Sequence, residues 1–82
     1  MERSEVFETV MKILAPYVEE PGALEKAGPT THILDELGVN SARLVDIVLA
    51  FEEKFDIAIA DDELDSIETI GQAVDVIAAK LG

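Results

Sequence analysis

Residues 41–55 read SARLVDIVLAFEEKF and form the most strongly helical stretch of the chain. Apolar side chains recur there at spacings of three and four residues, which places them along one side of an α-helix. They are Leu44, Val45, Ile47, Val48, Leu49, Phe51 and Phe55. An apolar arc this broad indicates a helix that packs against two neighbours at once. The outward positions are expected to carry the charged residues Arg43, Asp46, Glu52, Glu53 and Lys54.

Two further segments carry the same helical period. Apolar residues between 6 and 18 predict a first helix over about 4–18, with Ser4 as its N-cap and with Pro16 ending or kinking it. Thr69 is expected to start a last helix that stops before Gly82. The predicted buried side of that helix comprises Ile70, Ala73, Val74, Ile77, Ala78 and Leu81.

The connections between these helices are of two kinds. Residues 19–40 are rich in glycine and proline and form a long loop, in which a helical turn is expected over 31–37, stopped by Gly38. Residues 57–60 alternate like a strand, but they have no partner run and are expected to be an extended connector. Asp61 is expected to cap a brief helix that follows it.

These elements predict an all-α fold in a single domain spanning residues 1–82. The expected architecture is a small bundle of three main helices plus one short helix, with a long loop between the first and second helices. The loop is expected to be pinned by a few buried side chains, namely Ile33, Leu34 and Leu37.

Composition narrows the class of protein. The 82 residues include 18 acidic and 6 basic side chains, a net charge of −12, yet 49% of the chain is hydrophobic. The apolar content argues against disorder, and the negative charge argues against binding to nucleic acid or to an anionic membrane. The chain has no cysteine, its N-terminus does not resemble a signal peptide, and it has no apolar run long enough to span a membrane. We therefore expect a cytoplasmic monomer with basic protein partners.

Few residues could support catalysis or bind a metal. Ser41 and the single histidine, His32, leave a small hydrolase open as a minor alternative, but nothing resembles an oxyanion loop, and we expect no enzyme activity. The acidic run at residues 61–65 lacks the central glycine of a calcium-binding EF-hand loop. We therefore expect no metal site there, with weak, exchangeable binding of Mg²⁺ or Ca²⁺ as the alternative.

The segment at residues 37–46, LGVNSARLVD, identifies a family. It resembles the phosphopantetheine attachment segment of acyl carrier proteins, usually Leu-Gly-x-Asp-Ser-Leu followed by an acidic helix. The similarity continues in register through residues 51–57, FEEKFDI, through the acidic residues 61–63 and through residues 67–70, IETI. It extends from about Ile33 to Leu81.

The resemblance implies that Ser41 is an acceptor. A phosphopantetheinyl transferase would attach 4'-phosphopantetheine from coenzyme A to its hydroxyl, and the arm would carry an acyl or aminoacyl group as a thioester. A phosphate at this helix start would meet free backbone amides and the positive end of the helix dipole. By the same resemblance, the acyl chain would lie near four apolar residues, Val48, Leu49, Ile59 and Leu64.

Three positions depart from the family pattern and predict altered partner choice. Asn40 replaces the usual Asp, Ala42 the usual Leu, and Arg43 a position that is often acidic or polar. We therefore expect a specialised carrier for fatty-acid-like, polyketide or other secondary-metabolite synthesis. Its further partners would be an acyl-loading ligase or acyltransferase and synthase enzymes with basic docking surfaces. The alternative is an unmodified acidic interaction domain in which Ser41 only caps a helix.

Partner contacts are expected around the serine. The residues assigned to them are Asn40, Ala42, Arg43, Asp46, Glu52 and Glu53. Residues 35–68 hold eleven acids and two bases, so −9 of the net charge lies beside Ser41. Such a surface speeds the encounter with basic enzymes.

Overall fold

The regular structure of the chain is helical throughout the part described by the computed structural model, residues 1–19 and 22–82. The α-helices in chain order are α1 (Arg3–Leu14), α2 (Ile33–Leu37), α3 (Leu44–Phe55), α4 (Asp61–Asp65) and α5 (Ile70–Leu81). Short 3₁₀ turns occupy Ala15–Tyr17, Leu24–Lys26 and Ser41–Arg43. The predicted bundle of three main helices is confirmed, and the helical turn expected within the long loop is α2.

Two predicted helix caps are wrong, for one physical reason. Helix α1 begins at Arg3 rather than after Ser4, and helix α4 begins with Asp61 itself. In each case a glutamate at the third helical position reaches back to the amide that precedes the helix. Oε1 of Glu63 accepts from the Ala60 N–H at 3.1 Å, and Glu5 does the same for the amide before α1. A glutamate in this place satisfies a free amide without a capping serine or aspartate.

The predicted start of α5 is confirmed. The Thr69 hydroxyl accepts from the Gln72 N–H at 3.1 Å, and Oε1 of Gln72 accepts from the Thr69 N–H at 2.9 Å. This reciprocal capping box fixes the first turn of the helix. At the other end of the first helix, Pro16 lies in a 3₁₀ turn, and the α-helical run ends at Leu14 rather than continuing to about residue 18 as predicted.

The three long helices enclose a single core, in which α1 packs most extensively against α5 and both contact α3. Phe51 of α3 is wholly buried in it. The other members of the buried cluster are Val6, Val10, Leu14, Ile33, Leu37, Val39, Ile47, Phe55, Ile67, Ile70, Ala73, Val74 and Ile77.

Three side chains expected to be buried are not. Val45 and Leu49 are each 54% exposed, and Leu81 is 38% exposed. Val45 and Leu49 lie four residues apart on α3 and so share one face, which the neighbouring helices do not cover. Leu81 is the last residue of α5, where the helix runs past the bundle. Fewer of the apolar residues of α3 therefore pack against other helices than the sequence pattern predicts.

The long loop is secured by its C-terminal part. The Gly71 N–H donates to the Pro29 carbonyl at 2.8 Å, and the Ile70 N–H donates to the Thr31 carbonyl at 3.0 Å. The Ile33 N–H donates to the carbonyl of Glu68 at 2.9 Å. A Cβ at Gly71 would lie 2.7 Å from the Pro29 oxygen, so only glycine allows this approach. We call residues 29–33 the strap, because they tie the loop to the start of α5.

Candidate functional site

Ser41 is exposed at the end of a firmly anchored segment. Leu37 and Val39 are both buried, and between them Gly38 adopts the left-handed conformation with φ +69°. Glycine takes that conformation without steric cost, so the chain turns sharply out of α2. Two buried side chains thus fix the backbone just before the serine, while its hydroxyl faces solvent.

Asn40, and not Ser41, caps the 3₁₀ turn Ser41–Arg43 that leads into α3. Its side-chain oxygen accepts from the Ala42 N–H at 2.9 Å, and its carbonyl accepts from the Arg43 N–H at 2.8 Å. Capping by Ser41, which the alternative of an unmodified interaction domain assumed, is therefore wrong, and so is the expectation of free amides at Ala42 and Arg43. Because the capping is done by its neighbour, the Ser41 hydroxyl is not needed to hold the helix.

A cleft opens beside this turn. It has a volume of about 540 Å³ and is lined by Pro16, Tyr17, Val18, Glu19, Asn40 and Arg43. Arg43 also reaches Asp46, with Nη1 3.4 Å from Oδ2, in a pair whose side chains are 64% and 49% exposed. An exposed pair of this kind contributes about 0–1 kcal/mol and leaves the guanidinium available to other partners.

The acidic residues after Ser41 are of two kinds. Asp46 and Glu53 are exposed on α3, as predicted from their outward phase. Glu52 is only half-exposed, because its Oε2 accepts from the Ile59 N–H at 2.9 Å. That carboxylate ties the extended connector at 57–60 to α3 and is less available to a partner than the other two.

The four residues predicted to shelter an acyl chain are not equivalent. Val48 is buried, whereas Ile59 and Leu64 are half-buried. Leu49 lies on the exposed face with Val45. Ala42, the remaining predicted partner contact, is exposed next to Ser41.

Helix α4 is fastened to α5 by a partly buried ion pair. Nζ of Lys80 lies 2.8 Å from Oε1 of Glu63, and both side chains are largely covered. The hydrogen bond from Lys80, followed by that from the Ala60 amide, lowers the pKa of Glu63 below its ordinary value. Sequence reasoning missed this pair because its members lie in different helices, and no spacing rule connects them. The wall of the cleft at 16–19 was missed for the same reason.

Other candidate chemistry finds no support in the geometry. Among the hydrogen bonds of residues 1–19 and 22–82, none joins Ser41 to His32, whose backbone pairs with Thr69. Three or more side chains able to bind a metal do not come together anywhere in the described chain. None of the described helices has the length and apolar character required to cross a membrane.

The comparisons with known proteins agree on one family. The family model described as "Phosphopantetheine attachment site" matches residues 8–77. The chain is 40% identical to the acyl carrier protein of Phenylobacterium zucineum, over 96% of this chain and 98% of the relative. It is 39% identical to the acyl carrier protein of Caulobacter vibrioides, over 94% of this chain and 96% of the relative. The solved structure of the acyl carrier protein from Enterococcus faecalis superposes with a TM-score of 0.80 at 31% identity, covering 98% and 99% of the two chains.

Proposed function

Since the chain belongs to the phosphopantetheine-attachment family of acyl carrier proteins, which are carriers and not catalysts, we propose that Ser41 is the residue that receives its 4'-phosphopantetheine group. One observation carries the assignment. Ser41 is an exposed residue at the entry to α3, where buried Leu37 and Val39 fix the preceding backbone and Asn40 does the capping that would otherwise occupy the serine hydroxyl. The residues present fit the group, since the exposed turn gives a transferase access and Arg43 supplies a nearby cation.

The part played by this chain in the attachment is simple. The Ser41 oxygen forms the new bond to phosphorus at the pyrophosphate of coenzyme A, its proton passes to the transferase, and adenosine bisphosphate leaves. The attached group supplies a terminal thiol that carries an acyl group as a thioester. The chain itself has no cysteine to compete for that cargo.

Intact-mass measurement tests the assignment. After incubation with coenzyme A, Mg²⁺ and a broad-specificity phosphopantetheinyl transferase, the wild type should gain the mass of one phosphopantetheinyl group. The variant Ser41→Ala should gain none, while Ser4→Ala, which removes another exposed serine, should react like the wild type. No gain in the wild type, or a gain that survives Ser41→Ala, would refute the assignment. No mass gain in the wild type would favour the alternative function, that of an unmodified acidic interaction domain.

The family implies a phosphopantetheinyl transferase and acyl-handling enzymes as partners. The finer proposal is that the chain is a specialised carrier, serving fatty-acid-like, polyketide or other secondary-metabolite synthesis. It is supported by the exposed residues around Ser41, where Asn40 and Ala42 remove a carboxylate and a leucyl side chain from the surface a partner reads, and Arg43 adds a cation. Exposed Asp46 and Glu53 suit a loading ligase or acyltransferase and synthases with basic docking surfaces.

The cargo is proposed to shelter between α3 and the 57–67 segment. Buried Val48 and half-buried Ile59 and Leu64 support this placement, because an acyl chain entering there would meet apolar surface. The exposed Leu49 supports it less and suits contact with a partner enzyme better.

A further inference from the structure

Resting on that proposed function, we propose that the cleft beside Ser41 is a resting site for the arm, in which Arg43 pairs with the phosphodiester. The cleft is the one lined by Pro16, Tyr17, Val18, Glu19, Asn40 and Arg43. The ligand is thus the chain's own prosthetic group, held against residues 16–19, which follow α1.

Charge is the first reason. Attachment adds a negative phosphodiester at Ser41, inside a stretch that already carries eleven acids against two bases. Those two bases are Arg43 and Lys54. Arg43 lies two residues from the modified oxygen, whereas Lys54 lies near the far end of α3. Arg43 is therefore the basic side chain of this stretch best placed to compensate the new charge.

The availability of Arg43 is the second reason. Its pair with Asp46 is long, at 3.4 Å, and exposed, so little free energy is lost when the guanidinium turns to another anion. A guanidinium can bind a phosphodiester through two parallel N–H bonds, whereas its pair with Asp46 is a single long contact.

The position of the cleft is the third reason. Asn40 and Arg43 lie one 3₁₀ turn apart and so project to the same side, where both line the cleft. Ser41 is next to Asn40, so a group bound to its oxygen starts at the rim. The 16–19 segment is close, because a Cβ on Gly38 would lie 3.8 Å from the Glu19 Cβ.

The lining suits the chemistry of the arm beyond the phosphate. Pro16 and Val18 offer apolar contact to its dimethyl group, and Tyr17 and Asn40 offer hydrogen-bonding groups to its hydroxyl and amides. Glu19 is the exception, because it also lines the cleft and its negative charge repels the phosphodiester. The resting site therefore binds the arm weakly enough to release it to a partner.

Two substitutions with opposite expected effects test the proposal on the full chain. Each variant is first converted to the holo form, and complete conversion is verified by intact mass. Backbone amide chemical shifts are then compared between apo and holo forms, together with the ³¹P signal of the phosphodiester. In the wild type, the shift changes should extend from residues 40–43 to the 16–19 segment, where residues 17–19 report because Pro16 has no amide hydrogen. They should shrink at 16–19 in Arg43→Gln and grow in Glu19→Gln.

The control is Lys54→Gln, which removes the other base of the stretch and should leave the shifts at 16–19 as in the wild type. Raising the salt concentration should weaken the wild-type changes and have less effect on Arg43→Gln. Failure to gain mass would refute the attachment at Ser41. Full mass gain with shift changes confined to residues 40–43, or unaffected by Arg43→Gln, would refute the resting site and leave the attachment standing.

Discussion

At the scale of single residues, Asn40 contributes as much to the candidate site as its neighbour Ser41. Asn40 supplies the cap of the 3₁₀ turn through its side-chain oxygen, 2.9 Å from the Ala42 nitrogen. The aspartate usual in the family would offer the same kind of acceptor with a charge added. The substitution therefore preserves the local structure while changing what a partner enzyme meets.

Replacing Asn40 should separate these two roles. Asn40→Ala leaves the Ala42 amide without its side-chain acceptor and should lower the free energy of unfolding by about 1 kcal/mol. Asn40→Asp retains the acceptor, adds negative charge at a helix start and should be at least as stable as the wild type. Urea denaturation of the apo forms measures both. Equal stability of Asn40→Ala and the wild type would show that the cap contributes nothing.

At the scale of elements, periodicity predicted the three long helices well, because a core-facing stripe is a local property of the sequence. The helix starts were less predictable. A serine or aspartate near a helix start resembles a cap, yet Glu5 and Glu63 reach back and move the true start. The exposure of Leu49 was also beyond sequence reasoning, since an apolar face is buried only if another element covers it.

The contact between α4 and α5 should show a distinct pH dependence. Because the pKa of Glu63 is lowered in the folded state, its contribution to stability is present above the ordinary value of 4.5 and is lost as pH falls below it. Glu63→Gln should therefore be less stable than the wild type at neutral pH, and the difference should shrink in acid. Denaturation midpoints measured from about pH 3 to about pH 7 test this expectation.

Exposed Glu8 on α1 provides the matched control. The variant Glu8→Gln makes the same chemical change away from Lys80 and should not reproduce the pattern. A stability difference for Glu63→Gln that stays constant through the acid range would mean that the ion pair does not favour the folded state.

At the scale of the whole molecule, the negative charge is unevenly distributed. The net charge of −12 argues against nucleic acid as a partner, and −9 of it lies within residues 35–68, the stretch that we propose faces a basic enzyme. The sequence could show this uneven distribution, but not that Glu52 is committed to the backbone of Ile59. That role of Glu52 is visible only in the folded structure, where the connector at residues 57–60 lies against α3.

Charge reversal on this face should slow modification. The double variant Asp46→Lys and Glu53→Lys should reduce the rate of phosphopantetheinyl transfer roughly tenfold at low salt, because electrostatic steering is lost. The difference should diminish at high salt, where exposed charges are screened. The double variant Glu8→Lys and Glu25→Lys, which reverses two exposed acidic residues outside α3, controls for the same change in net charge. Equal rates for the double variant and the wild type at low salt would contradict the steering role.

The strap at residues 29–33 has a consequence for the order in which the molecule assembles. Its bonds to the start of α5 join positions separated by about forty residues, so they close a large loop, whereas each helix forms from neighbours in sequence. Closing such a loop costs chain entropy before the contacts compensate for it. We therefore expect the helices to pack together first. The contact between Pro29 and Gly71 should form afterwards and complete the native state.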